Sequence, residues 1–267
     1  MRVAMAQVAA GTDPAANLET VRARTREAVD DGADLVVFPE AMMCRFGVPL
    51  GPVAEPLDGP WGDGVRVIAH ESGVTVVAGM FTPGDEHAGR RRVVNTLIAA
   101  GPDGSSTHYD KIHLYDAYGF RESDTVAAGD TPVTITVAGV TVGLATCYDI
   151  RFPGLFTRLA RDGADVIVVP TSWGSGPGKV DQWQVLTRAR ALDSSTIVVG
   201  VGQPLPTDPA VAGSTAPTGV GHSTVADPYG RALVEYDDAE QCGVHDLDLE
   251  PVQRARRDIA VLHNTRL

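Results

Sequence analysis

Apolar residues in this chain come in short unbroken runs separated by polar, helix-compatible stretches and by Gly or Pro. Leu35 to Phe38 and Val166 to Val169 are two such runs. A strand covered on one face alternates, so unbroken runs predict strands buried on both faces. Their surroundings echo each other. Asp31-Gly32-Ala33-Asp34-Leu35-Val36-Val37-Phe38-Pro39-Glu40 is matched by Asp162-Gly163-Ala164-Asp165-Val166-Ile167-Val168-Val169-Pro170-Thr171. Each copy follows a helix-like stretch, places Gly where a helix C-terminus takes a left-handed residue, and closes its apolar run with Pro. Both copies read as helix, tight turn and buried strand.

The first helix is predicted to start at Asp13-Pro14, a side-chain cap followed by Pro at the first helical position, with Leu18, Val21, Thr25 and Ala28 along one face. The second begins after Pro153, with Leu155, Phe156 and Leu159 on its apolar side. Further strands are predicted over Val74 to Phe81, Val93 to Ala100 and Ser106 to Lys111, and over Val133 to Thr146 folded at Ala138-Gly139 into a hairpin. A helix around Lys179 to Ser194 precedes strands at Thr196 to Gly202, Ser223 to Tyr236 (turning at Asp227-Pro228-Tyr229-Gly230) and Gly243 to Asp248. Gly202 to Gly221, rich in Pro, Thr and Ala, reads as a long loop. No linker-like segment divides these pieces, so the expectation is one α/β domain over 1–267, with two sheets and helices outside.

Composition narrows the function. At 267 residues the chain can bury a large core without disulfides or metals. It carries 22 Lys+Arg against 34 Asp+Glu, a net charge of −12, which repels phosphate backbones and speaks against nucleic acid as a partner. Its only compact basic runs are Arg90-Arg91-Arg92 and Arg254 to Arg257. No apolar stretch is long enough to span a bilayer, so no membrane partner is expected. Cys44, Cys147 and Cys242 form no CxxC pair and lack zinc spacing, which predicts a reducing, cytoplasmic setting and no metal.

In layered α/β proteins ligands collect beyond the carboxyl ends of strands. Four strand exits are chemically loaded: Glu40, Lys111, Cys147 and Trp173. Taken singly, a strand-end thiol is ordinarily core packing, and a lone Glu or Lys is ordinarily solvated. Cys147 differs from Cys44 and Cys242 because it opens a polar turn, Cys147-Tyr148-Asp149-Ile150-Arg151-Phe152-Pro153-Gly154, between a strand and a helix. A thiol there can project into a crevice, with backbone N–H groups beside it. If Cys147, Glu40 and Lys111 share one edge of one sheet, they make a complete acyl-transfer set of nucleophile, acid-base and oxyanion stabiliser. A Cys/His pairing is the competing set, with His108, His113 and His222 as candidate bases. Tyr115, Tyr118 and Phe120, just after Lys111, are candidate pocket walls.

At these residues the sequence resembles the nitrilase superfamily, the carbon-nitrogen hydrolases. Its matching segments run from Arg2-Val3-Ala4-Met5-Ala6-Gln7 to His245-Asp246-Leu247-Asp248. They include Phe38-Pro39-Glu40, Tyr109-Asp110-Lys111-Ile112-His113-Leu114, Cys147-Tyr148-Asp149-Ile150-Arg151-Phe152-Pro153, Arg188-Ala189-Arg190-Ala191 and Gly221-His222-Ser223. The resemblance implies an α-β-β-α sandwich of two mixed sheets, pairing into a homodimer or higher homo-oligomer, with no cofactor or metal. It makes Glu40 the general base and acid, Lys111 the oxyanion stabiliser, and Cys147 the nucleophile, helped by the backbone N–H of Tyr148. Glu122 falls where the family places a second glutamate, and Trp173 where it places an aromatic wall. Asp193 stands where the family often has Glu.

The Cys-Tyr-Asp-Ile-Arg-Phe-Pro run is most similar to the branch of ω-amidases and deaminated-glutathione amidases. The implied substrate is a small-molecule amide bearing a carboxylate, with ammonia released through a Cys thioester. Arg151, the cation nearest Cys147 in sequence, is the expected carboxylate binder, with a structural ion pair as its other reading. An N-carbamoyl amide hydrolase or a nitrilase on the same fold, and a catalytically inactive interaction scaffold, are the alternatives. A nucleotide-binding reading fails because no GxGxxG or GxxxxGK[ST] loop follows a strand.

Overall fold

A computed structural model describes residues 1–266. β1 (Arg2–Gln7), β2 (Leu35–Val37) and β3 (Thr75–His87) are parallel neighbours, joined through α1 (Pro14–Asp30) and α2 (Pro60–Ser72). β4 (Arg90–Ala100) and β5 (Ser106–Asp110) extend the sheet antiparallel. A small separate hairpin follows, β6 (Asp116–Ala117) with β7 (Phe120–Arg121), and β8 (Val126–Ala127) then returns beside β4.

The second sheet starts with the hairpin β9 (Val133–Val137) and β10 (Val140–Leu144). α3 (Pro153–Arg161), β11 (Val166–Thr171), α4 (Lys179–Ser194) and β12 (Ile197–Gly202) continue it in parallel. After α5 (Pro209–Ala212), β13 (Thr224–Ala226) and β14 (Ala232–Glu235) close it antiparallel. β15 (Gln241–Asp246) crosses back to pair antiparallel with β1, and α6 (Glu250–Asp258) and α7 (Val261–Asn264) follow.

The sheet orders are β15-β1-β2-β3-β4-β5 and β9-β10-β11-β12-β13-β14. Along both, the pairings run antiparallel, parallel, parallel, antiparallel, antiparallel. The sequence echo is therefore the visible part of a repeat that extends over each sheet. Its hydrogen bonds repeat as well: Asp34 N–H donates to Arg2 O and Asp165 N–H to Thr141 O, both at 2.9 Å. Each preceding helix ends alike, with Ala33 N–H on Ala28 O and Ala164 N–H on Leu159 O at 3.0 Å. Gly32 and Gly163 turn out of these helices at φ 78° and 102°, which a side chain would oppose. At the start of α1, the Asp13 carboxylate accepts the Ala15 N–H at 3.0 Å, the cap its sequence predicts.

Strand alternation sorts the layers. Val36, Val76, Ala78 and Met80 pack with Val21 and Ala28 of α1 and Val65 and Ile68 of α2. Their neighbours Leu35, Val37 and Val77 join Val142, Val166 and Val168 of the other sheet in the central core. α3 and α4 cover the second sheet's outer face, Leu159 close against Gly143 and Trp183 against Gly200. The result is an α-β-β-α sandwich of two mixed sheets. The copies of the echo thus lie in different sheets, an assignment that counting strand exits along a sequence does not make. Four helices lay outside the sequence reading: α2, α6, α7 and α5, the last inside the segment read as a long loop. α2 buries Trp61, Val65, Ile68 and Ala69 at helical spacing, a signal diluted by Gly62 and Gly64. α6 buries only Val252 and Ala255.

Candidate active site

Glu40 sits one residue past the Pro that ends the first apolar run, and its side chain is fully buried. The chain bends there beside β3: Phe38 N–H donates to Val77 O at 2.8 Å and Met43 N–H to Gly79 O at 2.9 Å. A Cβ on Gly79 would lie 2.6 Å from the Ala41 nitrogen and 3.0 Å from the Glu40 carbonyl carbon, so this approach needs glycine. Glu40 Oε1 accepts from Asn95 Nδ2 at 2.8 Å and from Lys111 Nζ at 3.0 Å. Its Oε2 accepts the backbone N–H of Ser172 at 2.8 Å. Gln203 Nε2 donates to the Glu40 carbonyl at 2.9 Å.

Lys111, 2% exposed, follows β5 and also donates to both oxygens of Glu122, at 3.1 and 2.9 Å. Glu122 is fixed in turn by the Tyr115 N–H at 2.6 Å. Burial is the largest single effect on the Lys111 ammonium and opposes its charge. Glu122 and Glu40 together outweigh it and hold its pKa well above the usual lysine range.

Cys147 leaves β10 in the left-handed region, at φ 47°, and opens a 3-10 turn over Cys147–Arg151. A non-Gly residue costs energy there, and such strain persists only where surrounding contacts fix it. Asp149 supplies those contacts. Its carboxylate accepts the Thr146 N–H at 2.8 Å, the Tyr109 hydroxyl at 2.7 Å and the His113 N–H at 2.9 Å, with His113 Nδ1 also at 2.7 Å. The thiol-bearing turn is thereby tied to residues on either side of Lys111. Cys147 Sγ lies 3.8 Å from the carbonyl oxygen of Ser172. Burial first, and then the charge of Glu40, push the Cys147 thiol far above its ordinary pKa.

The thiol comes from the second sheet, while Glu40 and Lys111 come from the first. The expectation of one edge of one sheet is corrected accordingly: the three groups meet because the two sheets stack with their loaded strand exits adjacent. They share a narrow cavity of about 20 Å³, lined also by Glu122, Phe46, Tyr115, Phe120, Ser172, Trp173, Gly174, Lys179 and Pro217. Of the candidate pocket walls, Tyr115, Phe120 and Trp173 are in this lining and Tyr118 is not. Tyr148 and Arg151 lie outside that lining. The Tyr148 ring meets Tyr115 edge-on at 5.1 Å, and its amide belongs to the first turn of the 3-10 helix, where N–H groups have no intrahelical acceptor. The Arg151 guanidinium lies 5.7 Å from the centroid of the Tyr148 ring and 5.2 Å from that of the Trp173 ring, and donates to Gln182 at 2.7 Å.

None of the three candidate imidazoles lines the cavity. His113 is held by Asp149 and stacked on Phe152 at 3.8 Å, His108 lies 3.9 Å from Asp110, and His222 accepts the Trp183 indole N–H on its carbonyl at 2.8 Å. Asn95, Phe46, Ser172 and Lys179 are site residues that the sequence reading did not single out. Asn95 had a signal, a polar side chain inside the apolar run Val93-Val94-Asn95-Thr96-Leu97-Ile98. The long loop contributes Pro217, whose carbonyl accepts the Ser172 hydroxyl at 2.7 Å. Where the family often has Glu, Asp193 pairs with Arg190 at 2.8 Å.

A two-sheet sandwich with a buried Glu-Lys-Cys set at its joined strand exits defines the class of hydrolases that act on carbon-nitrogen bonds other than peptide bonds. The chain belongs to the carbon-nitrogen hydrolase family, whose sequence model matches residues 2–257. It is 58% identical over 270 residues to the hydrolase Rv0480c of Mycobacterium tuberculosis, covering 99% of this chain and 95% of that one. It is 32% identical over 272 residues to the omega-amidase NIT2 of Mus musculus, again 99% of this chain and 95% of the relative. Among solved structures, the CN-hydrolase superfamily protein XC1258 of Xanthomonas campestris aligns with a TM-score of 0.84 at 26% identity, over 100% of this chain and 98% of that one. Among the described residues no helix is long and apolar enough to cross a membrane.

Proposed function

We propose that the protein hydrolyses the carboxamide of a small, carboxylate-bearing molecule and releases ammonia through a thioester on Cys147. The observation that carries this reading is the shared burial of Glu40, Lys111 and Cys147 around Ser172, in a cavity narrow enough for a carboxamide and walled by aromatic rings. The similarity to the omega-amidase NIT2 supports the choice of an amide.

The chemistry follows from the contacts. Glu40 takes the thiol proton as Cys147 Sγ attacks the carbonyl carbon, which spares the buried thiol from ionising before substrate arrives. The oxyanion forms against the Lys111 ammonium and the Tyr148 N–H. Glu40 then gives its proton to the nitrogen, the C–N bond breaks, and ammonia leaves. Water attacks the thioester as Glu40 removes its proton; the acid is released and Glu40 returns that proton to sulfur. Glu122 and Asn95 keep Lys111 and Glu40 in place throughout. Self-association is part of the same reading, supported by exposed Val185 and Leu192 on α4 and Ile259 beyond α6.

Ammonia release measured across ω-amides of keto acids, deaminated glutathione, simple aliphatic amides, N-carbamoyl amino acids and nitriles tests the assignment. Turnover confined to nitriles or to N-carbamoyl compounds overturns it. Intact-mass analysis of enzyme quenched during turnover is expected to show the acyl group on Cys147, and an acyl group on any other residue contradicts the mechanism.

A further inference from the structure

Beyond the narrow cavity lies a wider one of about 290 Å³, lined by Tyr115, Tyr118, Phe120, the Gly174–Pro177 turn, Lys179 and the Ser214–Pro217 segment. Lys179 lines both cavities and therefore stands at their junction. It opens α4, and its carbonyl accepts the Trp173 indole N–H at 2.9 Å, which fixes the backbone from which its side chain departs. Its Nζ lies 3.6 Å from the centroid of the Tyr118 ring, 5.7 Å from that of Tyr115, and 3.4 Å from the Tyr115 hydroxyl. Aromatic faces hold an ammonium without neutralising it.

The carboxylates lining the inner cavity, Glu40 and Glu122, are already committed to Lys111. Among the described residues no carboxylate oxygen lies within 4.0 Å of Lys179 Nζ. A partly buried cation in a chain of net charge −12 is thus left without a carboxylate partner where the two cavities meet. Burial, with the nearby Arg151 charge adding to it, pulls the Lys179 pKa below the usual lysine range, and an arriving anion would reverse that pull.

We propose that Lys179, rather than Arg151, is the specificity-determining cation of this site, binding the tail carboxylate of a short ω-amide whose carboxamide reaches Cys147. The inference rests on the amidase reading above and names the chemistry at the other end of the same substrate. Because Lys179 lies where the narrow cavity opens, the two ends are only a few bonds apart, which fits the monoamide of a short dicarboxylic acid.

Steady-state kinetics on glutaramate and on valeramide, its uncharged counterpart of similar length, test the proposal with the wild-type enzyme, Lys179→Met and Lys179→Arg. The Met variant is expected to raise KM for glutaramate about tenfold or more, to change that for valeramide less than about twofold, and to leave kcat for both nearly intact. The Arg variant should keep most of the preference. Equal effects on both amides, or an unchanged glutaramate KM, would sink the assignment of Lys179. Calorimetric titration of glutarate into Cys147→Ala, with and without Lys179→Met, reads the anchor without turnover. Loss of glutarate affinity in the double variant supports the anchor even if wild-type enzyme cleaves neither amide, an outcome that overturns the amidase reading instead. Equal glutarate affinity in both proteins overturns the anchor alone.

Discussion

The backbone N–H of Ser172 donates to Glu40 Oε2 at 2.8 Å, while the carbonyl of the same Ser172 lies 3.8 Å from Cys147 Sγ. Ser172 follows β11 and Glu40 follows β2, the corresponding strands of the two sheets. The internal repeat thus brings the exits of its two copies together, one carrying the Glu40 carboxylate and the other the peptide group that links it to the neighbourhood of Cys147.

Glu40→Gln separates two roles of this carboxylate. The amide keeps the shape but cannot take the thiol proton, so kcat should fall about 10²- to 10⁴-fold. The same change removes a negative charge that raises the thiol pKa, so the pH profile of Cys147 alkylation should move to lower pH. Because burial and Glu40 raise the thiol pKa, the iodoacetamide rate of the wild-type protein should keep climbing as the pH passes 9, the ordinary thiol value. A plateau below about pH 8 would show a preformed thiolate instead.

Lys111→Met leaves Glu40 and Glu122 facing each other, buried and without their shared cation. Breaking a buried ion pair by removing one partner costs about 3–5 kcal/mol. Urea denaturation should show a loss of that size at neutral pH, together with loss of turnover. A variant of unchanged stability would mean that the carboxylates take up a proton or water with little penalty.

Gly79→Ala tests whether distant packing sets the catalytic geometry. The added methyl meets the backbone of Ala41 and Glu40, which must move. A misplacement of order 1 Å costs roughly 10² in rate, and overpacking costs about 1–3 kcal/mol. Activity should therefore fall more than stability alone explains, seen as a lower kcat in a sample still folded by circular dichroism.

Asp149→Asn weakens the clamp on the thiol-bearing turn. Asp149 serves Thr146, Tyr109 and His113, and an amide cannot accept from all of them as a carboxylate does. The expected result is a loss of about 2–4 kcal/mol by chemical denaturation, from weakened charge-assisted and unsatisfied buried hydrogen bonds. Cys147 should also become more open to bulky thiol reagents. Unchanged stability and labelling would show that β10 alone fixes the turn.

Local chemistry was legible in the sequence: the cap at Asp13, the left-handed turns at Gly32 and Gly163, and the buried runs that became β2 and β11. So were Glu40, Lys111 and Cys147, because strand exits and residue type both mark them. Arg151 and Lys179 show the limit. Proximity to Cys147 along the chain pointed to Arg151, whose guanidinium lies 5.7 Å from the Tyr148 ring and 5.2 Å from the Trp173 ring, whereas Lys179, far along the chain, lines the cavity. Sequence distance does not report where a long side chain is aimed. Nor could an apolar run say which sheet it joins, since both sheets use the same pairing pattern. The sequence by itself determined three of the helices, the main strands, the echo and the candidate residues at the strand exits, all set by short-range patterning. Only the tertiary structure decided that two stacked sheets, rather than one edge, assemble the site, because that depends on which faces pack across the core.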